Sequence, residues 1–401
     1  MPQHQPLTIF FSAGEPSGDL HGANLIRELH ARRPDLKAIG YGGPKMASAG
    51  CRLHADLTAL AVMWFARAAM NLHRFWALVS RADRFFRRCR PAAVVVIDYP
   101  GFNWWIARRA KAQGIPVFYY VPPQIWAWAR WRVRKMRRLT DQVLCTLPFE
   151  EAWLRQHGCN TTLVGHPYFD ELHRYPYDEA FIAAQRLRPE PLVTILPGSR
   201  DQEVKHNLRW FLKAAAIVFE EMHNVRFAVA AFKESQAAFV REAVASSGLP
   251  VEVHVGKTPE LIRAACCAMA VSGSVSLELL YHTVPSVILY WISRPAFFVQ
   301  GFFRKVKYIT LVNLLADEGL GDSDLALYDP AQPGAERVPF PEYLTYEDKS
   351  AAIANHIIRW LRYEGLRTAR VKLLAELRDR FAREGASGRA AEHILQWLAG
   401  K

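Results

Sequence analysis

Short runs of β-branched and aromatic residues alternate along this chain with segments of helical periodicity, and the alternation starts over once. Such a pattern constrains the fold to parallel sheets covered by helices, because parallel neighbours need a crossover segment to connect them. The first series predicts strands at 7–13, 37–41, 93–98, 115–121, 142–147 and 161–164. A tract carrying Pro167, Pro176, Pro189 and Pro191 then reads as a linker. The second series predicts strands at 192–196, 225–231, 251–254, 268–271 and 286–290, and from Tyr346 onward the apolar spacing is helical. The reading is an α/β chain of two doubly wound, Rossmann-like domains with a C-terminal helical tail, which suits a length of 401 residues.

Charge narrows the function class. The net charge is +13, yet residues 1–140 hold 22 Lys and Arg against 7 Asp and Glu, while the remainder is nearly balanced. A basic face attracts nucleic acid, anionic lipid or phosphorylated small molecules, and charge alone does not choose among them. No recognition helix or RNA module accompanies it, so nucleic acid is not expected as a partner. Trp64, Phe65, Phe75, Trp76, Phe85 and Phe86 interleave with Arg67, Arg74, Arg81, Arg84, Arg87, Arg88 and Arg90. That mixture suits a surface resting on anionic lipid, and equally an ordinary amphipathic helix. The stretch 297–307, with four Phe followed by Arg304, Lys305 and Lys307, reads the same way. Six cysteines without a Cys-x-x-Cys pair or zinc-ligand spacing point to a reducing cytoplasm. Residues 1–6 lack a signal-peptide pattern, and the longest charge-free run, 112–129, is broken by Pro116, Pro122 and Pro123, so no spanning helix is expected.

Four segments could carry chemistry. The first strand runs into Gly14-Glu15-Pro16-Ser17-Gly18-Asp19-Leu20-His21, where small residues allow a sharp turn at a helix start; Glu15, Asp19 and His21 are more polar than a turn requires. The spacing is neither a dinucleotide fingerprint nor a Walker loop nor a nucleophile elbow. Asp98 ends the apolar run 94–97, a position facing the ligand crevice of α/β sheets; it reads as a general base or as a helix cap near Phe102. In the second series, Pro197-Gly198-Ser199-Arg200 and Ser272-Gly273-Ser274-Val275-Ser276-Leu277-Glu278 each leave a strand and enter a helix. Together they would hold a pyrophosphate with Arg200 and backbone N–H groups, leaving Glu278 for ribose hydroxyls. Asp322-Ser323-Asp324 has the form of a metal-holding Asp-x-Asp but sits in a late Gly-rich loop, which disfavours a metal role.

The segments Ala-Gly-Glu-Pro-Ser-Gly-Asp (13–19), Gly-Gly-Pro-Lys-Met (42–46), Ile-Asp-Tyr-Pro-Gly-Phe-Asn (97–103), Trp-Ala-Trp (126–128), Leu-Pro-Phe-Glu (147–150), Val-Gly-His-Pro (164–167), Leu-Pro-Gly-Ser-Arg (196–200) and Asn-Leu-Leu (313–315) occur in order. In this the chain resembles the lipid-A-disaccharide synthase family, glycosyltransferases of the GT-B fold. The resemblance implies inverting, metal-independent transfer without a cofactor, from UDP-2,3-diacylglucosamine to 2,3-diacylglucosamine 1-phosphate, at the inner face of the cytoplasmic membrane. It implies an acceptor domain, 1–168, rejoined by about 368–401, and a UDP-sugar domain, 169–367. Asp98 becomes the candidate base, with Glu15 and His21 as further catalytic candidates. Ser199, Arg200, Ser272, Gly273, Ser274, Ser276 and Glu278 fall to UDP; Ser17, Asp19, Asn103 and Asn313 fall to the acceptor or to support. A homo-oligomer stays open. So do another GT-B enzyme acting on UDP-GlcNAc and a non-catalytic lipid- or nucleic-acid-binding protein. One departure is visible: where the family's Asn-Leu-Leu leads to an Arg, this chain has Asp317-Glu318-Gly319 and reaches Pro341-Glu342 only after a long loop.

Overall fold

The computed structural model describes residues 7–60, 72–317 and 325–400. The chain forms two compact units, one running to Asp170 and resuming at Arg383, the other spanning Glu171–Ala382. In the first, β1 (Thr8–Ala13), β2 (Lys37–Gly42), β3 (Arg52–Asp56), β4 (Ala93–Ile97), β5 (Val117–Tyr120), β6 (Gln142–Cys145) and β7 (Thr161–Leu163) form one sheet ordered β3-β2-β1-β4-β5-β6-β7, every pair parallel. The central strands are buried on both faces, which is why β4 is an unbroken apolar run. β3 escapes the sequence reading because it is a half-exposed edge strand, Arg-Leu-His-Ala-Asp, with no apolar run.

The second unit repeats the plan. There β8 (Leu192–Leu196), β9 (Arg226–Ala231), β10 (Val251–Val255), β11 (Cys267–Val271), β12 (Ser286–Trp291) and β13 (Glu342–Thr345) form a parallel sheet ordered β10-β9-β8-β11-β12-β13. In each sheet the winding direction reverses once, between β1 and β4 and between β8 and β11.

Two expectations are corrected. The proline tract is no linker: it forms helices Tyr168–Arg174 and Glu179–Arg186, the second capped by Asp178, which accepts from the Phe181 N–H at 3.0 Å. Residues 368–382 do not return to the first unit, because helix Glu364–Phe381 packs on helices Val275–Tyr281, Leu311–Ala316 and Ser350–Arg362 and buries Leu374 and Leu377. Only helix Ala386–Ala399 returns. It lies against helix Pro16–Arg32, with Ala390, Ala391 and Ile394 in the same core as Ile9 and Ile26. Of the mixed aromatic and arginine run, Trp64, Phe65 and Arg67 lie outside the described residues, and the aromatics of helix Leu72–Cys89 largely face inward, as in an ordinary amphipathic helix. Phe86 is fully buried against Phe10, and Phe75 and Phe85 are half-buried against Phe102 and Phe10. Trp76 and the arginines remain on the outer face. Among the described residues, no helix is long and apolar enough to cross a membrane.

The returning helix is held by one carboxylate. Asp170 accepts from the N–H groups of Gly385, Ala386 and Ser387 at 2.7, 3.2 and 2.9 Å, satisfying donors that the helix itself cannot. Asp170→Ala should loosen this cap by about 1 to 3 kcal/mol. Hydrogen exchange should then accelerate across 386–399 and leave the second unit's amides unchanged.

Candidate active site

Ala13 pairs with Ile97 at the carboxyl ends of β1 and β4, so the loops leaving these strands lie side by side at the sheet's reversal point. Asp98 and Tyr99 both take the left-handed conformation, φ 45°, which costs a non-glycine residue on the order of 1 to 3 kcal/mol. Asn103 holds them there. Fully buried, its side-chain amide donates to the carbonyls of Ser12, Ile97 and Asp98 at 3.2, 3.0 and 2.8 Å and accepts from the Ser12 hydroxyl at 2.7 Å. Tyr119 adds a hydroxyl donating to the Asp98 carbonyl at 2.8 Å. Gly14 completes the fit, since a Cβ there would stand 2.1 Å from the Tyr99 ring.

The Asp98 side chain is thus projected from a rigid, strained turn. Burial raises its carboxyl to about 6, the Glu15 carboxylate pushes the same way, and the Tyr99 N–H opposes both. It is poised to take up a proton near neutral pH, a property a simple helix cap has no need of. Glu15 occupies the N-cap position of helix Pro16–Arg32, and Ser17 is exposed in its first turn. His21 is buried beside His166, ring centroids 6.2 Å apart, and burial first, then His166 and Lys45, bring its imidazole down to about 3. It is neutral, and its Nδ1 has no hydrogen-bond partner among the described residues. Asp19 is accounted for differently: its carboxylate accepts from the N–H groups of Gly43, Lys45 and Met46 at 2.8, 3.0 and 3.0 Å and so caps helix Pro44–Ser48.

In the second unit, the loops after β8 and β11 meet at the equivalent reversal point. Gly198 has φ +124° and abuts Glu203, so only glycine fits this turn. Arg200 caps helix Asp201–Met222: its N–H and guanidinium both donate to the Glu203 carboxylate at 3.3 Å, leaving its side chain 78% exposed and available to an anion. The Ser199 carbonyl is fixed by Gln236 Nε2 at 2.9 Å. Opposite, Ser272 donates to the Ile309 carbonyl at 2.9 Å, Ser276 donates to the Gly273 carbonyl at 2.8 Å, and Gly273 has open space where a Cβ would be. Ser274 starts helix Val275–Tyr281, within which Glu278 is buried.

Sequence reasoning missed two residues here. Gln236 and Lys233 follow β9 next to the Arg200 loop, and both bind the Asp201 carboxylate, at 3.0 and 2.9 Å. The polar pair after a third apolar strand was the available signal. Asn313 serves the fold: its amide donates to the Phe340 carbonyl and the Glu342 carboxylate, both at 2.8 Å, and accepts from the Phe340 N–H at 2.9 Å. This clamp closes the long departing loop, of which Glu318, Gly319, Asp322, Ser323 and Asp324 lie outside the described residues. Among the described residues, no group of three or more His, Cys, Asp or Glu is placed to hold a metal ion.

Two doubly wound parallel sheets, each with its polar loops at the reversal point, define the GT-B class. Solved structures agree: a UDP co-structure of MnaA from S. aureus superposes with a TM-score of 0.64 at 12% identity over 98% of this chain and 97% of that one. The glycosyltransferase of kitacinnamycin gives 0.61 at 17% identity over 98% and 99%. The family model for lipid-A-disaccharide synthetase matches residues 9–332. Lipid-A-disaccharide synthases from Syntrophus aciditrophicus and Alkalilimnicola ehrlichii are 32% and 34% identical, covering 96% and 97% of this chain and 97% and 98% of their own. The chain belongs to the lipid-A-disaccharide synthase family.

Because burial and Glu15 together raise Asp98, its carboxyl should titrate near pH 6 by carbon-13 NMR, and Glu15→Gln should move the midpoint down. A midpoint at the ordinary carboxylate value would refute the assigned environment.

Proposed function

We propose that the chain is an inverting glycosyltransferase that moves 2,3-diacylglucosamine from UDP to the 6-hydroxyl of 2,3-diacylglucosamine 1-phosphate, forming a β-1,6-linked disaccharide. Family membership across nearly the full length supports the reaction class. The observation that carries the mechanism is Asp98, a carboxylate of raised proton affinity on a strained turn whose backbone is clamped at the reversal point of the first sheet.

The acceptor hydroxyl attacks the anomeric carbon from the face opposite UDP. Its proton goes to Asp98, the bond from anomeric carbon to phosphate oxygen breaks, and UDP leaves with the electron pair. Charge gathering on that oxygen is met in this reading by Arg200 and by the N–H groups of the 272–276 turn, while Glu278 takes ribose. Those fixed donors do the work a divalent metal would otherwise do. The Neisseria meningitidis 2-epimerase, solved with UDP-GlcNAc, shares the fold at a TM-score of 0.63 and 12% identity, and the second unit is assigned the UDP-sugar on its own Arg200 and 272–276 loops. The acceptor falls to the basic first unit.

Peripheral attachment at an anionic membrane surface belongs to the same proposal. Helix Arg294–Phe303 buries none of its residues and leaves Phe298, Val299, Phe302 and Phe303 exposed, and the exposed face of helix Leu72–Cys89 carries Arg81, Arg84, Arg87 and Arg88.

The test is incubation of the purified protein with UDP-diacylglucosamine and the monosaccharide 1-phosphate, with and without a chelator. UDP and disaccharide should appear in equal amounts in both. Hydrolysis of the donor without disaccharide, or loss of turnover on chelation, would contradict the reading.

A further inference from the structure

A groove between two helices of the first unit has no part in the chemistry above. It is a pocket of about 260 Å3 between helices Pro100–Ala112 and Val133–Leu139, and Arg108, Arg132, Lys135 and Arg138 line it with Trp104 and Trp105. The spacing explains the convergence. Gly101, Trp104, Trp105 and Arg108 share one face of the first helix, and Lys135 and Arg138 continue the Arg132 side of the second. Gly101 leaves open space where a side chain would fill the groove.

Four cations gather here without a carboxylate partner among the described residues. Like charges at such range repel, and an anion in the groove removes that cost. A second observation points the same way: Trp104 is 8% exposed, and its indole N–H is buried with no acceptor among the described residues. A buried donor left unmet is expensive, and an oxygen-bearing ligand in the pocket would satisfy it. Size limits the ligand, since the pockets that enclose whole drug-sized molecules span roughly 300 to 1,000 Å3.

The rim is aromatic and continuous with the pocket. Trp76 stacks edge-on against Trp105 at 4.7 Å, Arg132 lies 4.6 Å over the ring of Trp128, and Trp128 and Trp131 are exposed. Tryptophan beside arginine is the chemistry of the lipid headgroup layer, where an indole tolerates both an apolar and a wet side.

We propose that this groove binds the phosphate headgroup of an anionic membrane lipid, with the cations and the Trp104 N–H on the phosphate oxygens and the tryptophan rim in the headgroup layer. The proposal rests on the peripheral membrane reading and deepens it from general attraction to one site.

The experiment uses two probes on the full chain: phosphatidylcholine vesicles with and without phosphatidylglycerol, and a short-chain, monomeric phosphatidylglycerol titrated by calorimetry. The wild type should bind the anionic vesicles and bind the monomeric lipid saturably. Trp104→Phe, which keeps the ring and removes the donor, should weaken the monomeric lipid by about 2- to 10-fold, and Arg108→Gln with Arg138→Gln by roughly 10-fold or more. Circular dichroism and turnover on a short-chain acceptor should stay at wild-type values in both variants. Absence of binding to anionic vesicles would sink the membrane reading itself. Vesicle binding with no saturable monomer binding, or with variants that behave as wild type, would overturn the pocket alone. Competition by glucosamine 1-phosphate together with a raised acceptor KM would overturn the lipid assignment in favour of substrate. Loss of duplex DNA binding in place of lipid binding would overturn it in favour of nucleic acid.

Discussion

A parallel sheet wound in both directions from one central strand leaves, at the reversal, two neighbouring loops with no crossover between them. That constraint organises each unit of this chain. In the first it brings Gly14–Glu15 beside Asp98–Tyr99, and in the second it brings Ser199–Arg200 beside Ser272–Ser274. The polar groups in these loops stand far apart in sequence, and only the strand order makes them neighbours. The same order gives Asn103 its role, because one buried amide can reach carbonyls of both β1 and β4 only where those strands are adjacent.

Buried carboxylates in this chain sort by their partners. Asp19 and Asp170 each take three backbone N–H groups at a helix start. Glu150 takes the Trp126 indole N–H together with the N–H and hydroxyl of Thr146, and Glu342 takes Ile309, Thr310 and Asn313. These groups hold the fold together, tying Trp126 to the segment at 147–150 and Asn313 to the start of β13. Asp98 differs because what is clamped is its backbone. Strain and hydrogen bonds fix where the carboxylate points, and the carboxylate itself is left to act.

The architecture was legible in the sequence wherever burial on both faces forces an unbroken apolar run, as at β4 and β11, or one broken only by a buried threonine, as at β8. β3 and β13 were not legible: β3 is a half-exposed edge strand, and β13 opens on a glutamate whose burial depends on Asn313, 29 residues away. Candidate residues followed the same logic. The strand-end placement of Asp98 and Arg200 was legible because each follows a strong apolar run, while their roles belong to the proposed function. The capping role of Asp19 and the clamping role of Asn313 were hidden, since both depend on partners contributed by distant segments. The aromatic run at 75–86 stayed open between two readings for a related reason, because helical spacing alone does not reveal that Phe75, Phe85 and Phe86 meet Phe10 and Phe102.

In the proposed mechanism a fixed turn presents one carboxylate as the proton acceptor, with UDP recognised elsewhere in the chain. Asp98→Asn keeps the shape of the side chain and removes its basicity, so the most direct measurement is the turnover of this variant alongside its affinity for UDP. Turnover should fall by about 100- to 10,000-fold with UDP affinity unchanged. Turnover within a few-fold of the wild type would contradict this mechanism, and would leave Asp98 as no more than the end of a strand.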